Sequence, residues 1–109
     1  MKSLSLVAFA LIVLAVNQPA EAVDARAAQN VLRQDKCMTC HAVDRKKDGP
    51  SYKEVAEKYR GKADAEAALT KHITEPSMVE VDGQQEEHGT VSTTDPDVIR
   101  NVVHWIMSL

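Results

Sequence analysis

Five consecutive residues, Cys37-Met38-Thr39-Cys40-His41, have types and spacing that can do chemistry together. Two thiols three positions apart can add across two vinyl groups, and a histidine directly after them can bind iron. Together they form the attachment pattern of a c-type haem. Three other chemistries use paired cysteines. A disulfide here would close a very small loop and constrain little. Thioredoxin-like exchange uses Cys-x-x-Cys within a βαβ unit, and no strand-like run precedes Cys37. A structural zinc site needs further Cys or His at ligand spacing. Haem attachment is the reading that also uses His41.

The start of the chain bears on the same question. Lys2 is followed by an almost wholly apolar run from Leu4 to Val16, and then by the small-x-small sequence Ala20-Glu21-Ala22. This is the pattern of a secretory signal peptide over residues 1–22, with a retained anchor as the alternative. The apolar run falls short of the roughly 20 residues that a spanning helix needs. The expected mature domain, 23–109, is small and has no Phe, one Trp and two Tyr. A domain of that size buries little surface by itself and needs a staple. A central haem would provide apolar bulk.

The elements that must position the motif follow from periodicity. Ala27, Ala28, Val31 and Leu32 mark an amphipathic helix over Ala25 to Lys36 that runs into Cys37. A charged loop from Val43 closes on Gly49-Pro50, a turn signal. Tyr52, Val55, Ala56 and Tyr59 form one face of a second helix. Ser51 and Glu54 make a capping box at its start, and Gly61 ends it. Ala65, Ala68, Leu69, His72 and Ile73 mark a third helix, stopped by Pro76. Val79-Glu80-Val81 alternates before Asp82-Gly83, so a small hairpin or ordered loop is expected there. Asp95 caps a last helix with Pro96 in its first turn, and Val98, Val102, Trp105, Ile106 and Leu109 share its inner face.

These motifs resemble the short class I cytochromes c of bacteria across essentially the whole mature chain. The resemblance rests on Cys37 to His41, on Gly49-Pro50-Ser51-Tyr52-Lys53-Glu54-Val55-Ala56, on Gly61-Lys62-Ala63-Asp64-Ala65, and on the ending Trp105-Ile106-Met107-Ser108-Leu109. It implies an all-α fold of about four helices around one covalent haem c, with Leu32 and Trp105 where the first and last helices cross. It also implies that the Pro50 carbonyl accepts from His41 Nδ1, leaving Nε2 for iron.

The chain departs from the family on the other side of the haem. The family places a methionine, flanked by prolines in a Gly-rich segment, about sixteen residues before the last tryptophan. Here that position is Gly89, beside His88. His88 is therefore the candidate second axial ligand, with Met78 as the alternative and an open or water-bound site as a third reading. Glu86 and Glu87 are candidates to orient His88. His72, on an apolar stripe, is expected to pack near the haem or bond a propionate. His104, with Arg100, Asn101 and Ser108, is expected to face solvent.

Charge is unevenly spread. His41 to Lys62 holds seven basic and four acidic residues, whereas Glu75 to Asp97 holds seven acidic residues and no Lys or Arg. The resemblance puts these segments on opposite sides of the haem, so a dipole is expected that would orient transient encounters. No basic cluster with interleaved aromatics points to nucleic acid. The function expected is a periplasmic one-electron carrier, monomeric, without stable membrane insertion after signal cleavage, and docking transiently on periplasmic redox proteins. A haem enzyme or gas sensor with a labile sixth ligand, and a dedicated electron-accepting subunit of an oxidoreductase, are the alternatives.

Overall fold

The computed structural model describes residues 22–109. The expected leader, apart from its last alanine, lies outside the described residues. The order is α1 (Ala25–Gln34), a single 3₁₀ turn (Cys37–Thr39), α2 (Tyr52–Tyr59), α3 (Ala65–Thr74), strands β1 (Ser77–Val81) and β2 (Gln84–His88), and α4 (Pro96–Met107). The four helices and the mostly helical fold are as the sequence implies. Among the described residues no helix is long and apolar enough to cross a membrane.

Helix α1 starts where the Asp24 carboxylate accepts from Ala27 N at 2.9 Å. It stops two residues earlier than the periodicity suggests, because Lys36 turns into the left-handed region at φ 61°. That turn redirects the chain, so the cysteines lie on a separate 3₁₀ turn instead of the helix. On the inner face of α1, Ala28 and Leu32 are buried against α4. Burying a leucine contributes about 1.5–3 kcal/mol. The Asn101 side chain bonds both the N–H and the C=O of Asp24 at 2.9 Å, tying the start of α1 to α4.

The inner face of α4 is Val102, Val103, Trp105 and Ile106, all buried. Val98, expected on that face, is only partly buried. Val103 replaces it, because the core meets α4 mainly along its C-terminal half. His104 also differs from expectation. It is not a freely solvated side chain, since its Nε2 lies 3.1 Å from the Glu66 carboxylate and links α4 to α3.

Strands β1 and β2 pair antiparallel with Ser77 opposite His88 and Val81 opposite Gln84. Asp82 at φ 51° and Gly83 at φ 78° make the two-residue turn. Two positive φ values in succession match the twist of a tight hairpin, which is why Asp-Gly serves here. Of the two readings open for this segment, the hairpin forms.

Candidate functional site

A cavity of about 710 Å³ opens between the end of α1, the cysteine turn, α2, α3 and the hairpin. Its apolar walls include Leu32, Val55, Leu69, Ile73, Val91 and Ile106, while Lys46, Lys58, Glu80, Glu86 and Glu87 bring charge to its lining. Cys37, Cys40, His41 and Pro50 line it together. Both thiols are free. The Cys37 thiol pKa is pushed up, first by burial and then by the nearby Asp35 carboxylate.

The proximal side is built from α2 backwards. Ser51 Oγ accepts from Glu54 N at 3.1 Å, and Glu54 accepts from Ser51 N at 2.7 Å, completing the capping box. Backbone bonds from Gly49 N to Cys40 O, Tyr52 N to Ala42 O and Lys53 N to Val43 O fasten the intervening loop to the cysteine turn. The carbonyl between these anchors, Pro50 C=O, meets His41 Nδ1 at 2.6 Å. A carbonyl can only accept, so Nδ1 carries the proton and Nε2 keeps its lone pair. The ring also stacks on Tyr52, with centroids 5.0 Å apart and planes 22° apart. Tyr52 is itself 4% exposed and meets Trp105 edge-on. Gly49 lies directly against the imidazole: a Cβ built there would fall 2.7 Å from His41 Cε1.

On the far side, His88 ends β2 with its ring centroid 6.1 Å from that of His41. Two imidazoles on opposite sides of one metal, each through a bond of about 2 Å, would have centroids about 6 Å apart. The His88 Nδ1 is buried without a hydrogen-bond partner, which costs about 1–3 kcal/mol unless a bound group offsets it. The His88 pKa is lowered, first by burial and then by His72 and His41, so the ring is held in the neutral form that can bind a metal. His72 packs on His88 with centroids 4.0 Å apart. Its own pKa is also lowered, first by burial and then by His41, although much of its surface remains in solvent.

Met78 is placed differently. Strand register pairs it with Glu87, whereas Ser77 pairs with His88 and Val79 with Glu86. Successive residues of a strand point to opposite faces, so Met78 shares a face with neither His88 nor Val79. It is 59% exposed and absent from the cavity wall. Neither Glu86 nor Glu87 orients His88, whose Nδ1 has no partner and whose two acidic neighbours are both exposed. Among the described residues no group of three or more His, Cys, Asp or Glu is placed to hold a metal ion by itself, so the zinc reading finds no support. The contents of the cavity fit a haem instead, with two thiols, two facing imidazoles and apolar walls.

Sequence reasoning missed two participants. The close approach of Gly49 to His41 was legible only as half of a turn signal. The contact between Asp35 and Ser92, with Asp35 carboxylate oxygens 3.0 Å from Ser92 N and 2.8 Å from its Oγ, joins residues 57 apart and left no local signature.

The family model "Cytochrome c" matches residues 25–109. Cytochrome c-551 of Pseudomonas aeruginosa is 34% identical over 76 residues, 66% of this chain and 66% of that one. Cytochrome c-552 of Nitrosomonas europaea is 33% identical over 78% of this chain and 81% of its own. Among solved structures, the class 1 cytochrome MtoD from Sideroxydans lithotrophicus ES-1 is 52% identical with a TM-score of 0.76, covering 80% of this chain and 97% of that one. These relatives favour neither a haem enzyme nor a sensor. The chain belongs to the cytochrome c family, as a short bacterial class I monohaem cytochrome with one covalent haem c, an electron carrier acting with redox partners and not an enzyme.

Proposed function

We propose that this protein is an exported, periplasmic one-electron carrier whose haem is held by thioethers from Cys37 and Cys40 and by two axial imidazoles, His41 and His88. The observation that carries the reading is the pair of histidine rings, 6.1 Å apart in an apolar cavity that both cysteines line. When bound, the haem supplies one-electron chemistry at iron, cycling between ferric and ferrous states. The residues of the chain do the rest. Cys37 and Cys40 would each hold the haem through a thioether, the thiol S–H adding across one vinyl double bond with sulfur on one carbon and hydrogen on the other. Pro50 C=O holds the His41 tautomer, and Tyr52 fixes the plane of the ring. The apolar walls keep water away, which limits reorganisation when the charge changes. The signal-peptide pattern over residues 1–22 supports export. The uneven charge supports transient electrostatic docking on periplasmic redox proteins by a monomer.

A second imidazole in place of a thioether lowers the reduction potential. The protein is therefore expected to lie below methionine-ligated relatives in potential, and its ferric spectrum to lack the weak red-edge absorption of a sulfur–iron bond. His88→Ala is expected to open the site to carbon monoxide in the reduced protein, while Met78→Ala leaves the spectrum unchanged. A sulfur–iron band in the wild-type protein, lost in Met78→Ala, would reverse the assignment.

A further inference from the structure

We infer that Asp35 is a positioning residue for the distal ligand, a clamp that holds the segment carrying His88 onto the helix end that carries the cysteines. The inference rests on His88 as the sixth ligand.

The hairpin that ends at His88 is a two-stranded sheet, and such a hairpin is marginal by itself in water. Its position relative to the helices is set by the packing of His72 on His88 and by the chain on either side of it. On the near side it follows α3 after two residues, Glu75 and Pro76. On the far side the chain is fastened within four residues of His88. Val91 N donates to Ile73 O at 2.9 Å and the Val91 side chain enters the core at 8% exposure. Ser92 then donates twice to Asp35, from its N–H at 3.0 Å and from its hydroxyl at 2.8 Å. A carboxylate taking two donors from one residue fixes direction as well as distance, and bonds to a charged acceptor are the stronger kind.

Asp35 can act this way because its own position is set by the proximal half. Its N–H completes α1 by donating to Val31 O at 3.0 Å. Its carbonyl accepts from the Cys37 thiol at 3.8 Å. The residue thus reaches the attachment turn with its backbone and the distal segment with its side chain. A Cβ built at Gly89, between His88 and the clamp, would meet nothing within 4 Å, so no neighbour packs against that side of the backbone. Without the Asp35–Ser92 pair, Val91 would be the one anchor left on the C-terminal side of His88, beside its hairpin pairing with Ser77 and its contact with His72.

The test uses the haem-loaded protein and reads the rate at which carbon monoxide binds the reduced form, which is limited by departure of His88. Asp35→Ala is expected to raise that rate about tenfold, as loss of a partly exposed charge-assisted pair implies. Ser92→Ala, which keeps the backbone donor, is expected to raise it less, and Ser92→Thr to restore it. The double variant Asp35→Ala/Ser92→Ala should be no faster than Asp35→Ala. Glu66→Ala breaks a remote contact, so it reports simple loss of stability and is expected to leave the rate unchanged. If Asp35→Ala does not retain the fold by circular dichroism, the two Ser92 variants decide. An unchanged rate in the clamp variants, with rapid binding by His88→Ala, would overturn the clamp. Binding by His88→Ala at the wild-type rate would instead overturn His88 as the ligand, and the inference with it.

Discussion

Gly49 shows how one atom can matter at the proximal imidazole. A Cβ at this position would stand 2.7 Å from His41 Cε1 and 3.1 Å from the Cys40 carbonyl, so neither neighbour can yield without moving the haem-binding turn. Replacing Gly by Ala commonly gains about 0.4–1 kcal/mol through the unfolded chain. Overpacking of a close contact costs about 1–3 kcal/mol. The clash therefore wins. Gly49→Ala is expected to lower stability by about 1–2 kcal/mol and to shift the reduction potential by tilting the imidazole away from Pro50. Denaturant titration checks the first effect and potentiometry the second. Full stability with an unchanged potential would show that the loop can back away.

Among the elements, α2 does the most for the site, because its capped start holds the Pro50 carbonyl. Ser51→Ala removes the side chain that caps the helix and is expected to cost about 1 kcal/mol. The same box makes a pH prediction. Hydrogen bonds from the Ser51 backbone and side chain hold the Glu54 carboxyl below its ordinary value of 4.5, with Lys46 adding in the same direction. A depressed carboxyl contributes stability that is complete above its unfolded pKa and is lost as pH falls through the folded one. Stability is thus expected to decline below about pH 4.5, and less steeply in Glu54→Gln, which lacks the titrating group. Thermal unfolding across that range reads the difference; identical acid limbs would remove Glu54 from the account.

At the scale of the domain, one core in which Leu32, Leu69, Val102 and Val103 are buried lies beside the roughly 710 Å³ cavity. Without the haem, apolar walls such as Leu32, Val55, Leu69, Ile73, Val91 and Ile106 would face water in this open cavity, at about 25 cal/mol for each Å² left uncovered. Net stabilities of small domains are only about 5–15 kcal/mol, so such exposure weighs heavily. The variant Cys37→Ser/Cys40→Ser, which cannot attach haem, is expected to lose most of its helical signal by circular dichroism when the haem is extracted. A cooperative thermal transition in that haem-free variant would contradict this. Charge at this scale follows the elements: Lys46 and Lys58 come to the cavity from the loop and α2, and Glu80, Glu86 and Glu87 from the hairpin. The two signs therefore come to one cavity from different elements.

By itself the sequence determined what is local. Cys37, Cys40 and His41 are contiguous, the Ser51–Glu54 box spans one turn, Asp82-Gly83 makes its own hairpin, and Asp95-Pro96 starts its own helix. In each case the partners lie within a few residues, so the pattern and the interaction are the same thing. His88, the proposed second ligand, was likewise singled out by its spacing to Trp105. Tertiary structure decided what depends on distant segments meeting. It turned Met78 outward through strand register, rotated the α4 face from Val98 to Val103, paired His104 with Glu66, and brought His72 against His88. It also joined Asp35 to Ser92. Such contacts are set by how helices and hairpin pack around a shared cavity, and no spacing along the chain encodes that packing.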